Sequence, residues 1–194
     1  MTLDYPMPQR QRPPTLPGDH AGNNNDRREV ARMIRVDQAG EMGAKAIYAG
    51  QMAVLKDQPS APVLAEMAAQ ETEHLKVFDQ LVMARGVRPS ALSPLWRRTG
   101  YAIGVTSALM GERAAMAVTV AVEDVIAEHY QEQLDHLGED EADLRATIAK
   151  FRDDELQHRA TALENGAEEV PAYEILSRSV KAGTKLAIWL AKRI

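Results

Sequence analysis

The feature that most restricts what this chain can fold into is a spacing of acids and imidazoles that occurs twice. Glu71-Thr72-Glu73-His74 returns as Glu155-Leu156-Gln157-His158, and a lone glutamate precedes each, Glu41 by 30 residues and Glu123 by 32. Residues three apart share a helix face, so each Glu-x-x-His offers a carboxylate and an imidazole to one point. One such pair is within reach of chance at this Glu and His content, so the surroundings carry the argument. Turn signals stand at the middle of both intervals, Asp57-Gln58-Pro59-Ser60-Ala61-Pro62 in the first and Gly138-Glu139 in the second. Each interval reads as a helix that leaves its lone glutamate for about 15 residues, turns and returns the same distance. The two legs cancel, and the lone Glu and the Glu-x-x-His meet at one level. The chain is a duplicated helical hairpin.

The spacing predicts helices over about 26–56, 60–86, 107–137 and 139–163, with Ser60 as an N-cap and Gly86 just past a helix end. Their inward stripes are Val30, Ile34, Ala44, Tyr48 and Leu55; Leu64, Met67, Phe78 and Leu81; Met116, Val120, Tyr130 and Leu134; and Leu144, Ile148, Phe151 and Ala162. Each stripe carries carboxylates at mid-height. A buried, unpaired carboxylate is costly enough to take up a proton instead, so four of them converging with two imidazoles call for a compensating cation. Two divalent ions balance four carboxylates and leave both histidines neutral. Cysteine is absent, and oxygen and imidazole donors with open positions suit iron or manganese. The predicted metal ligands are therefore Glu41, Glu71, His74, Glu123, Glu155 and His158. Glu73 and Asp154 each adjoin a ligand, point about 100° away on a helix and fall outside this set.

One Glu from each of two helices, with Glu-x-x-His from each of two others, resembles the ligand pattern of ferritin-like di-iron bundles. The fold class expected is all-α: a ferritin-like four-helix bundle made of two repeated hairpins, plus extra membrane-interfacial helical segments. Those segments are Leu92-Ser93-Pro94-Leu95-Trp96-Arg97-Arg98 with Tyr101-Ala102-Ile103-Gly104-Val105, and Lys185-Leu186-Ala187-Ile188-Trp189-Leu190-Ala191-Lys192-Arg193-Ile194. Neither reaches the ~20 apolar residues that span a bilayer. Both set a tryptophan beside Arg or Lys, as segments lying in a membrane surface do; packing onto the bundle or a dimer contact is the plainer alternative. Together they point to a substrate dissolved in the membrane.

The 194 residues suggest one domain over 26–194, preceded by a disordered or loosely ordered tail at 1–25 with five prolines and Asn23-Asn24-Asn25. The tail has neither the apolar centre of a signal peptide nor the acid-free basic pattern of a transit peptide. The net charge of −5 and the lack of any basic tract argue against nucleic acid as a partner.

Four strings carry a family resemblance: Met33-Ile34-Arg35-Val36-Asp37-Gln38-Ala39-Gly40-Glu41, Tyr48-Ala49-Gly50-Gln51, Ala121-Val122-Glu123 and Phe151-Arg152-Asp153-Asp154-Glu155-Leu156-Gln157-His158. They resemble the demethoxyubiquinone hydroxylases, the di-iron monooxygenases of ubiquinone biosynthesis, and the similarity covers about 26–194. Some relatives have histidine where Gln38 stands, a position outside the ligand set. The resemblance implies two iron ions cycling between Fe2+ and Fe3+ on the same six residues. In such sites the Glu-x-x-His glutamates bridge the irons and the lone ones bind one iron each. It further implies O2 as co-substrate and a membrane-dissolved prenylated quinol, demethoxyubiquinol, hydroxylated on its ring. The expected location is the surface of a membrane, the cytoplasmic face of a bacterial cell membrane. Partner proteins of ubiquinone biosynthesis and a homo-oligomer are compatible with the family, and the sequence identifies neither. No Gly-x-Gly-x-x-Gly nucleotide fingerprint is present, so the electrons come from outside or through the quinone.

Tyr48 and Tyr130 each lie seven residues after a lone glutamate, in matching places of the repeat, and His129 adjoins Tyr130. These three are candidates for contacting the quinol or for passing a proton or electron, against the alternative of core tyrosines with satisfied hydroxyls. Asp37 is placed to orient a ligand histidine or to pair with an arginine. His20 and His136 read as solvated, and the methionines Met42, Met52 and Met67 as core filling. Two other functions remain open at this point: a soluble ferritin-like ferroxidase or peroxidase sharing the six ligands, and a metal-free membrane-associated adaptor, which would have no use for buried acids.

Overall fold

The computed structural model describes residues 24–193, with side chains from Asp26 onward. Of the tail expected over 1–25, residues 1–23 (His20 among them) lie outside the described residues, and 24–25 open the first helix. Six α-helices follow in order: α1 (Asn24–Leu55), α2 (Ala61–Ala84), α3 (Ser93–Leu109), α4 (Glu112–His136), α5 (Ala142–Glu164) and α6 (Tyr173–Ala191). Short 3-10 turns at Glu139–Glu141 and Ala167–Glu169 flank α5, and no strand occurs among the described residues. The chain is all-helical, and α1, α2, α4 and α5 form the ferritin-like bundle.

The two hairpins turn where the sequence places them. α2 ends in a Schellman arrangement: Gly86 takes φ +61, the Gly86 N–H reaches the Met83 carbonyl and the Val87 N–H reaches the Val82 carbonyl at 2.9 Å. The expected Ser60 cap does not form. No side-chain bond caps α2 there; instead the Ser60 backbone N–H donates to the Glu112 carboxylate at 2.9 Å, and Pro62 supplies the first-turn residue. Val82 is buried and Leu81 only half-buried, so the stripe of α2 ends one residue later than predicted.

The helix predicted from Ser107 begins five residues later, at Glu112. Ser107, Ala108 and Leu109 close α3, and the chain breaks at Gly111, whose φ of +110 suits glycine alone. α3 is the long crossover that a ferritin-like bundle needs between its second and third helices. It runs parallel to α1: Gly100 lies against Gly43, Gly104 against Ile47, and Gly50 against Tyr101 and Val105. A Cβ on Gly104 would overlap the Ile47 carbonyl, and one on Gly100 would come within 2.6 Å of the Gly43 carbonyl oxygen. These are backbone neighbours that no rotamer change relieves. Gly104→Ala is therefore expected to force α3 off α1 at a cost of about 3 kcal/mol, readable by urea denaturation.

α6 runs parallel to α4, tied by Lys181 to Asp124 and by Lys185 to Glu128 at 2.7 Å. The two segments read from sequence as interfacial are thus the helices α3 and α6, each with one side on the bundle. Trp96 of α3 and Ile188 of α6 meet over Val36 and Ala39 of α1. Leu95, Tyr101, Ile103, Leu109 and Met110 remain exposed along and beyond α3, as do Ile175, Leu186 and Trp189 on α6. No helix of the described residues is long and apolar enough to cross a membrane.

Candidate metal centre

All six predicted ligands point into the middle of the bundle and are buried. Their donor atoms fall into two overlapping groups, Glu41, Glu71, His74 and Glu155, and Glu71, Glu123, Glu155 and His158, each with its atoms within 4.8 Å of one another. Glu71 and Glu155 belong to both groups, whereas each lone glutamate and each histidine belongs to one. His74 Nδ1 stands 3.1 Å from Glu155 Oε1 and 3.6 Å from Glu41 Oε2. His158 Nδ1 stands 3.1 Å from Glu71 Oε1 and 3.1 Å from Glu155 Oε2.

Each histidine is fixed from the opposite hairpin. The outer nitrogen of His74 donates to Asp154 Oδ2 at 3.0 Å, and Lys150 holds that same oxygen at 2.6 Å. The outer nitrogen of His158 donates to Gln70 Oε1 at 2.5 Å. With Nε2–H committed outward, Nδ1 is left to the centre in both rings. Gln70 and Asp154 stand immediately before Glu71 and Glu155, so the brace is part of the duplication. Neither was singled out from sequence for this role. Asp154 thus accepts from His74, one of the two roles open to Asp37 in the sequence, the other being a pair with an arginine. Asp37 instead accepts a hydrogen bond from Gln133 Nε2 at 2.6 Å and stands 3.8 Å from His129 Nε2. The shared offset before each Glu-x-x-His was the available signal.

The tyrosines follow the same crossed logic. Tyr48 of α1 donates to Glu123 of α4 at 2.7 Å, and Tyr130 of α4 donates to Glu41 of α1. Both are about 1% exposed, so their hydroxyls steady the two lone carboxylates. His129 lies apart from the centre and shares a contact with Gln133 at 3.0 Å. Burial, with Lys192 adding to it, lowers its pKa to about 4 and keeps it neutral. Met67 packs in the core, its sulfur 3.7 Å from the Tyr48 hydroxyl, while His136 and Glu73 are exposed.

The donor set suits a cation. Both oxygens of Glu71, Oε2 of Glu41 and of Glu123, Oε1 of Glu155 and Nδ1 of His74 are buried without a hydrogen bond, an arrangement that leaves several desolvated acceptors facing one another. Burial, reinforced by the neighbouring carboxylates, pushes the acids of Glu71 and Glu123 well above the ordinary range. Burial alone would lower His74, but the Glu155 and Glu41 carboxylates at its Nδ1 outweigh it and raise its pKa to about 10. Burial would raise Glu155, and the His158 and His74 imidazoles beside its two oxygens bring it down to about 2 instead. In the metal-free cluster, burial therefore favours the neutral acid at Glu71 and Glu123. Oxygen and nitrogen donors in two groups with two shared carboxylates fit a pair of divalent ions.

An apolar cavity of about 480 Å³ adjoins the centre. It lies between α1, α3, α4 and α6 and runs from Trp96 and Ile188 inward to Tyr130, whose hydroxyl holds Glu41. Its size is that of a small-molecule pocket.

Fold and site define a class: a ferritin-like four-helix bundle around a buried carboxylate–histidine cluster that could hold metal. Residues 28–191 match the family described as ubiquinone biosynthesis protein COQ7. The chain belongs to this family. It is 51% identical over 166 residues to a 3-demethoxyubiquinol 3-hydroxylase of Rhodospirillum rubrum, covering 85% of this chain and 78% of that protein. It is 52% identical over 171 residues to a mitochondrial NADPH-dependent 3-demethoxyubiquinone 3-hydroxylase of Dictyostelium discoideum, covering 87% and 79%. The human protein of the same description is 47% identical over 176 residues, covering 89% and 81%.

Proposed function

We propose that this chain is a 3-demethoxyubiquinol 3-hydroxylase, a di-iron monooxygenase of ubiquinone biosynthesis. The observation that carries the proposal is the junction of the two features above: an apolar cavity ending on the tyrosine that holds one lone glutamate of a centre suited to two divalent ions. The relatives at about half identity are named for this hydroxylation. Glu41, Glu71, His74, Glu123, Glu155 and His158 would hold the irons. When bound, they would supply the two-electron reduction of O2, one oxygen atom entering a ring C–H and the other leaving as water.

The protein's own part is positional. Tyr48 and Tyr130 hold the lone carboxylates by hydrogen bonds, which fixes the direction each presents to its metal position. Asp154 and Gln70 hold the imidazoles from across the bundle. Val122, Ile126, Ala44 and Ile47 wall the cavity beside the ligands and keep bulk water from the reacting ring. Thus Tyr130 and Tyr48 act on the ligand carboxylates, and His129 lines the cavity wall. The outer end of the cavity opens between α3 and α6, where the exposed apolar side chains of both helices lie. That placement supports a chain resting on a membrane surface, with the isoprenoid tail of the quinol leaving between these helices. NADPH, which stands in the names of the Dictyostelium discoideum and human relatives, is the electron donor to try first.

The test is quinone extraction from cells whose only copy of this gene carries Glu155→Ala. Demethoxyubiquinone is expected to accumulate while ubiquinone disappears. Unchanged quinones, with iron still bound by the wild type, would favour the ferroxidase reading.

A further inference from the structure

Two side chains lining the cavity hold a buried polar atom without a partner, Trp96 Nε1 and one oxygen of Asp37, and of the two only Asp37 is acidic. Asp37 is 3% exposed and lines the cavity wall. Its Oδ1 accepts from Gln133 Nε2 at 2.6 Å, while its Oδ2 is buried without a hydrogen bond. A buried carboxyl oxygen left unsatisfied is unfavourable unless something fills it. Burial holds this carboxyl well above the ordinary range; Gln133 and, more weakly, Lys192 pull it down while Glu41 adds to the rise.

The helix face beside Asp37 is bare. Gly40 and Gly43 both line the cavity, and a Cβ on either would meet nothing within 4 Å. Packing therefore does not require glycine here, in contrast with Gly100 and Gly104, whose added Cβ would strike backbone. Glycine inside a helix lowers its stability relative to alanine. What the two residues leave is a flat shelf of α1 backbone, opening from Asp37 toward Glu41. Asp37 and Glu41 are one turn apart on the same face, with a rise of about 6 Å between them.

We propose that Asp37 anchors the aromatic ring of the substrate: its Oδ2 hydroxyl donates a hydrogen bond to a ring oxygen while the ring lies on the Gly40–Gly43 shelf, one edge turned to Glu41 and Tyr130. This inference rests on the hydroxylase reading and deepens it, naming the residue that decides which ring carbon faces the centre. It demands an oxygen on the ring, since a plain hydrocarbon would leave Oδ2 unsatisfied. Gln133 acts through Asp37, holding Oδ1 so that Oδ2 faces the cavity.

The experiment reads binding rather than turnover. Trp96 lines the cavity and Trp189 is the other tryptophan of the chain, so full-length Trp189→Phe protein, loaded with metal, reports on the cavity through Trp96 alone. The probe is a demethoxybenzoquinone bearing a single isoprene unit, whose binding quenches tryptophan emission. Asp37→Leu is expected to weaken binding about tenfold, the size of one hydrogen bond to a buried group. Asp37→Asn, whose amide donates in place of the acid, is expected to restore binding to within about threefold of the parent. Gly40→Ala combined with Gly43→Ala is expected to weaken binding by at least about tenfold, with metal content unchanged and a melting temperature equal to or above the parent's. Parent-like binding by either Asp37→Leu or the double alanine variant would overturn the proposal. So would equal losses in Asp37→Leu and Asp37→Asn, which would mark Asp37 as a structural tie to Gln133. Absence of quenching in the parent would instead overturn the reading of the cavity as the ring's site, and the anchor with it.

Discussion

Glu155→Ala and Glu71→Ala are each expected to empty both metal positions, whereas Glu41→Ala and Glu123→Ala should each empty one. The difference follows from membership. Glu71 and Glu155 lie in both donor groups, and Glu41 and Glu123 in one apiece. Glu155 is further committed, with one oxygen 3.1 Å from His74 Nδ1 and the other 3.1 Å from His158 Nδ1. Deleting it leaves each position with two carboxylates and a histidine. Quinol hydroxylation by the Glu155→Ala protein is expected to fall by more than about 10³-fold, since in the proposed function the metal pair would carry the oxygen chemistry. Metal analysis of the four purified variants, beside their hydroxylation rates, checks the pattern. Equal metal loss in all four would show that no carboxylate is shared.

The second large effect is on stability. Without metal, the protein is expected to become less stable as pH rises above neutrality. His74 has a folded pKa of about 10 against an ordinary 6.5. A group raised on folding stabilises fully below its unfolded value, and that contribution is lost as pH climbs toward the folded one. The raised acids of Glu71 and Glu123 act in the same direction, their cost growing as pH rises from the ordinary value of 4.5. Two groups act oppositely: Glu155, lowered to about 2, and His129, lowered to about 4. Their contributions are lost only as pH falls, below 4.5 and below 6.5 respectively. Between pH 6.5 and 9 the first set governs. His74 alone accounts for about 3 kcal/mol over that window, or about 10 °C in melting temperature for a chain of this size. Metal displaces these protons, so between pH 6.5 and 9 the loaded protein should melt higher and lose the downward slope. Thermal unfolding with chelator and with Mn2+, which avoids oxidation during the scan, makes the comparison. A metal-free protein that gains stability between pH 6.5 and 9 would contradict the placement of the protons.

Much of this was legible in the sequence because helical periodicity is local. The stripe Leu144, Ile148, Phe151, Glu155, His158 and Ala162 is the buried set of α5; Pro62 and Gly138 stand where the hairpins turn, and Gly86 closes α2. The six converging donors follow from the same counting. What escaped depends on which helices meet. That α3 lies on α1 through Gly43, Gly50, Gly100 and Gly104 needs knowledge of the crossover, and a glycine's spacing does not name its partner. The break at Gly111 was masked by the strong apolar content around it. Tyr48 and Tyr130 were visible as repeat-matched tyrosines, yet their acceptors, Glu123 and Glu41, sit on the other hairpin. Asp37 reads from sequence as orienting a ligand histidine or pairing with an arginine because it lies one turn from Glu41; the structure pairs it with Gln133 and leaves its second oxygen buried without a hydrogen bond.

The central claim is that one chain holds a pair of irons on shared carboxylates. The most direct measurement is iron bound per chain in the wild-type protein, reconstituted with Fe2+ without oxygen, desalted and quantified together with its magnetic coupling. The account expects about two irons per chain, coupled through the bridging carboxylates of Glu71 and Glu155. A chain that retains no iron, or a single uncoupled ion, would contradict it.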